Sequence, residues 1–80
     1  MLVSLNKNKW LYTWMREHWQ EDLYKILSAN DPYVKRPSTI KREVAKLLNS
    51  KGYKAKLTNG DDIIVTMKEE DYIFLKLRYQ

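Results

Sequence analysis

His18 and Asp22 stand four residues apart in a stretch without Gly or Pro, the separation at which an imidazole and a carboxylate meet on a helix. Such a pair could move a proton, but acid–base catalysis also needs a nucleophile or substrate-orienting groups, and none is suggested nearby. The pair is therefore read as structural. Glu43, Asp61, Asp62 and Lys76 offer acids and a lysine of the kind that hold a divalent cation in a hydrolytic site. Phe74, however, occupies the position two before Lys76 where a further carboxylate would be needed, and Asp61 and Asp62 are explained as turn residues. With no Cys and with His18 as the sole His, neither a thiolate site nor a multi-histidine site can be assembled. Gly52 and Gly60 are the only glycines, too few for a phosphate-cradling loop. The expectation is a protein without catalysis, metal or cofactor.

What remains is charge. The chain has 80 residues and a formal net charge of +5. Residues 1–34 are balanced, Lys7, Lys9, Arg16 and Lys25 against Glu17, Glu21, Asp22 and Asp31, so the whole basic excess falls in residues 35–80. A localised excess of this kind attracts nucleic acid or acidic protein surfaces. No apolar run approaches the roughly 20 residues of a membrane span, and the first residues lack a signal-peptide layout. The expected setting is the cytoplasm, with no membrane partner, and the length predicts a single domain over residues 1–80.

The elements that would present these charges can be read from periodicity. Between residues 10 and 29, Leu11, Met15, Trp19, Leu23, Ile26 and Leu27 recur on one side of a helix, with Arg16, Glu17, Gln20 and Glu21 on the other. Trp10, Trp14 and Trp19 add a concentration of aromatic surface, of which Trp14 and Trp19 are expected in the core and Trp10 and Tyr24 nearer the wet edge. Asn30-Asp31-Pro32 should break this helix, and residues 33–37 should connect it to a second, capped by Ser38 or Thr39 and ended by Gly52. Ile40, Val44, Leu47 and Leu48 give the second helix an apolar side. The period then changes to two. Segments 53–58, 63–68 and 72–79 read as strands, the first two joined by a tight primed turn at Asn59-Gly60. The predicted fold is α+β: two helices followed by a three-stranded antiparallel meander (ααβββ), with the helices packed on one face of the sheet.

Alternation assigns Lys54, Lys56, Thr58, Ile64, Thr66, Lys68, Tyr72, Phe74, Lys76 and Arg78 to the opposite face, cations interleaved with aromatic rings. A platform for single-stranded nucleic acid needs this combination, rings stacking on bases and cations following phosphates. A second candidate surface is the capped basic helix with Thr39, Lys41, Arg42 and Lys46, ended by Gly52 and followed by the Asn59-Gly60 hairpin. Residues 37–67 thereby resemble the recognition helix and wing of winged helix-turn-helix domains. The resemblance implies that Thr39, Lys41, Arg42 and Lys46 approach the major groove and that Lys54 and Lys56 lie on the wing. The combined expectation is a small regulatory protein acting by occupancy. Its partner is nucleic acid, DNA in preference to RNA, with Lys41, Arg42, Lys46, Lys54, Lys56, Lys76 and Arg78 on phosphate and Phe74 and Tyr72 stacking. The rival is a protein-binding inhibitor or adaptor of the small phage type, presenting the basic face or the Trp-rich helix to an acidic protein surface.

Overall fold

The computed structural model describes residues 1–29 and 37–80, so the expected stop at Asn30-Asp31-Pro32 and the connector through Arg36 lie outside the described residues. Among the described residues the chain runs β1 (Leu2–Ser4), α1 (Trp10–His18), α2 (Gln20–Ala29), α3 (Pro37–Ser50), β2 (Lys54–Leu57), β3 (Ile63–Thr66) and α4 (Glu69–Tyr79). The mixed α+β composition stands. The ααβββ meander does not, because the third strand comes from the N-terminus and the expected third strand at 72–79 is a helix.

That exchange has a physical origin at both ends. Residues 72–79 alternate apolar and polar side chains, but Tyr72, Leu75 and Tyr79 also share one side of a helix. Glu69, Glu70 and Asp71 fill the first turn and Lys76 and Arg78 the last, the arrangement the helix dipole favours. The Tyr72 amide donates to the Lys68 carbonyl and starts the ladder. Helical winding buries Leu75 and leaves Ile73 and Leu77 exposed, whereas a strand would have placed all three on one face. The sheet order is β1-β3-β2, antiparallel throughout, with Val3 and Ala55 flanking Val65.

Val3, Val65 and Ile63 turn inward against Leu11, Trp14 and Met15 of α1 and Val44, Ala45 and Leu48 of α3, forming one buried cluster with Leu5, Met67 and Leu75. Trp14 is buried as expected, its ring edge-on to Trp19 (5.0 Å) and to Tyr53 (5.4 Å), and Tyr24 is exposed, but Trp19, expected in the core, is only half-buried. Trp10 is half-buried, 5.9 Å from Tyr72 of α4.

The continuous helix expected over 10–29 is broken at Trp19, where φ is −131° and ψ is 45°. No Gly or Pro causes this. The Nδ1–H of His18 donates to the Trp14 carbonyl, and the break turns the Trp19 ring onto Trp14. The expected His18–Asp22 pair is lost with the helical continuity. Asp22 instead pairs with Lys51 at 3.2 Å, bridging α2 to the end of α3.

Gly52, at φ +95°, closes α3 as the sequence predicts: its amide donates to the Asn49 carbonyl and the Tyr53 amide to the Leu48 carbonyl, a double bond pattern that ends the helix on a left-handed residue. The helix begins at Pro37, ahead of the expected Ser38 or Thr39 cap. The hairpin turn also differs from expectation. Positive φ falls on Asp61 (57°) rather than on Asn59-Gly60. The Asp61 amide donates to the Thr58 carbonyl and the Thr58 amide to the Asp62 carbonyl, which makes a three-residue loop with a left-handed third residue.

Candidate nucleic-acid interface

Two sets of contacts fix α3 along the outer edge of β2. Ala55 turns its backbone away from β3, and the Asn49 side chain serves both groups: Oδ1 accepts from the Ala55 amide at 3.0 Å and Nδ2 donates to the Ala55 carbonyl at 2.8 Å. The same Nδ2 donates to the Ala45 carbonyl within α3. Near the other end of the helix, Lys41 Nζ donates to the Asp61 carbonyl in the hairpin loop. Asn49 thus stands in for a missing strand at a sheet edge, and α3 runs beside the hairpin from its loop to the start of β2.

With α3 held there, its solvent side carries Arg42 and Lys46, both exposed, with half-buried Thr39 nearby on the first turns. Glu43 is the acid within this stretch and lies 3.4 Å from Lys46, an exposed contact that leaves most of the lysine in water. On the sheet, register places Lys54 level with Thr66 and Leu2, and Lys56 level with Ile64 and Ser4, on the face away from the core. Lys54, Lys56 and Thr66 are exposed there. Of the basic face expected from alternation, β2 supplies exposed Lys54 and Lys56, while β3 supplies Ile64 and Thr66 and no cation.

The remaining expected residues are elsewhere. Tyr72, Phe74, Lys76 and Arg78 lie on α4, which packs against α1 rather than extending the sheet. Tyr72 is half-buried beside Trp10, and its hydroxyl donates to Asn8 Oδ1 at 3.0 Å. Lys76 sits 5.9 Å from the Tyr72 ring and Arg78 5.7 Å from the Tyr79 ring. Phe74 is exposed, but on a helix separate from the Lys54–Lys56 face. The structure thus carries Lys41, Arg42 and Lys46 on α3 and Lys54 and Lys56 on the adjoining β2, and it carries Tyr72, Phe74, Lys76 and Arg78 on α4. Lys41 serves as a brace, its ammonium engaged with the loop.

The hairpin loop is secured to the N-terminal strand through Asp62. Its Oδ2 accepts from Ser4 Oγ and its Oδ1 from the Asn6 amide at 3.1 Å, while Lys7 N–H donates to Ser4 Oγ. Partial desolvation pulls the Asp62 pKa upward, but the bonds from Ser4, Asn6 and Ile63 together with the nearby Lys41 charge outweigh it and hold the carboxyl below its usual value. Burial, and then the Asp62 charge, push the Tyr12 hydroxyl up.

Sequence reasoning missed Asn49 and the N-terminal strand. An Asn three residues before a helix-ending Gly offers a donor and an acceptor close to the following strand, which is the signal that could have marked it. Among the described residues no cluster of three or more His, Cys, Asp or Glu could hold a metal ion, and no helix is long and apolar enough to cross a membrane. An apolar cavity of about 540 Å³ opens between α1, α2 and α3, lined by Tyr12, Leu23, Ile26, Leu27, Ile40 and Val44. No protein-family model, curated protein or solved structure matches the chain.

Proposed function

We propose that this protein binds duplex DNA without catalysis, acting in the cytoplasm as a regulator by occupancy, with α3 facing the groove and the β2–β3 hairpin lying over the adjoining backbone. One observation supports this reading: Asn49 on Ala55 and Lys41 on Asp61 hold α3 against the β2 edge, so the helix that carries exposed Arg42 and Lys46 adjoins the strand that carries exposed Lys54 and Lys56. A helix in a major groove beside a basic hairpin is the docking mode of winged helix-turn-helix domains, which the 37–67 segment resembles. Stacking of single strands on the sheet is set aside, since Tyr72 and Phe74 are on α4.

The test is a salt titration of duplex affinity by fluorescence anisotropy. Each cation on phosphate contributes a log–log slope of about −0.9, so Arg42→Ala/Lys46→Ala and Lys54→Ala/Lys56→Ala should each reduce the slope's magnitude by up to about 1.8. Lys76→Ala, on the far helix, should leave it unchanged. Absence of duplex binding at low salt, where attraction is strongest, would overturn the proposal in favour of an acidic protein surface meeting the same cations.

A further inference from the structure

We propose that α4 is a self-association surface, joining two copies of this chain through an antiparallel, two-fold α4–α4 contact. This inference is independent of the DNA-binding reading. Helix α4 has two apolar sides. Tyr72, Leu75 and Tyr79 face the molecule, while Ile73 (48% exposed), Phe74 (62%) and Leu77 (83%) form a stripe directed away from it. A contiguous apolar stripe on a small chain calls for an occupant.

The charges around the stripe indicate which one. At about 100° per residue, Glu70 lies in line with Ile73 and Leu77 at the N-terminal end, and Arg78 lies beside Phe74 at the C-terminal end. The first turn of the helix is acidic (Glu69, Glu70, Asp71) and the last turn basic (Lys76, Arg78). A parallel pair of such helices would set acid against acid and base against base. An antiparallel pair centred on Phe74 instead places Glu70 of each copy opposite Arg78 of the other, eight residues on. The helix dipoles oppose as well. The face is therefore complementary to itself, which is what a closed two-fold contact requires, since each residue must meet its partner reciprocally. Phe74 would pack on its own symmetry mate at the axis. One 11-residue helix face is small beside a standard interface, so the dimer is weak and concentration-dependent.

Sedimentation velocity on the whole chain over a range of concentrations tests this. The wild-type chain should shift from monomer to dimer with concentration, and Phe74→Asp should remain monomeric. Glu70→Arg and Arg78→Glu should each weaken association by about tenfold or more through like-charge opposition, and the double variant Glu70→Arg/Arg78→Glu should recover most of it. These positions are exposed, and unchanged circular dichroism would confirm that each variant folds. A wild-type chain monomeric up to about 1 mM would overturn the proposal, because affinity weaker than that is no specific contact. So would a double variant no tighter than either single one, which would give the stripe to a different protein.

Discussion

At the scale of single residues, the structure depends on a few side chains that hold backbone segments to one another. Asp62 is the clearest case, a carboxylate in the hairpin loop that accepts from Ser4 and Asn6 near the other end of the chain. Its pKa is lowered in the folded state, so it contributes stability above the unfolded carboxylate value of about 3.9, and that contribution disappears as the pH falls through the folded value. Urea unfolding of the wild-type chain and Asp62→Asn should therefore show the variant less stable at pH 7, with the difference closing below about pH 4. A difference that persisted unchanged at pH 2 would mean that charge is not what Asp62 supplies. Asn49 acts in a comparable way without charge, and being neutral it leaves no pH signature.

At the scale of elements, α4 shows how one segment can carry two periodicities. Its helical winding makes Leu75 internal and Leu77 external, whereas a strand would have given both the same environment. Leu75→Ala should cost about 2–5 kcal/mol and Leu77→Ala no more than about 0.5 kcal/mol, measured by denaturant unfolding. Equal losses would restore the strand. Much of the fold was legible in residues 37–66: the apolar spacing of Val44 and Leu48, the Gly52 stop and the alternation in β2 and β3 all hold. They are legible because each signal is local. The N-terminal strand was not, because Leu2–Ser4 is three residues long and becomes a strand only by pairing with β3, far along the chain. Helix α4 was misread because alternation was weighed without the acidic turn before it. At the Trp19 break the ring packs against Trp14 and Tyr53, and no local breaker in the sequence announces it. The same split governs the candidate site. Arg42, Lys46, Lys54 and Lys56 are recognisable from their elements alone, while the removal of Tyr72, Phe74, Lys76 and Arg78 follows from one helix taken for a strand.

At the scale of the whole molecule, the sheet's inner face and the helices above it make the core, and the surfaces open to solvent include the exposed cations of α3 and β2 and the apolar stripe of α4. DNA binding would use the first and self-association the second. The most direct measurement is a titration of isotope-labelled protein with a short DNA duplex at low salt, followed by amide chemical shifts residue by residue. DNA binding through α3 and the hairpin should concentrate perturbations at Arg42, Lys46, Lys54, Lys56 and the loop around Gly60, with α4 amides undisturbed at concentrations below self-association. Perturbations centred instead on Lys76 and Arg78, or spread evenly over the surface, would contradict it.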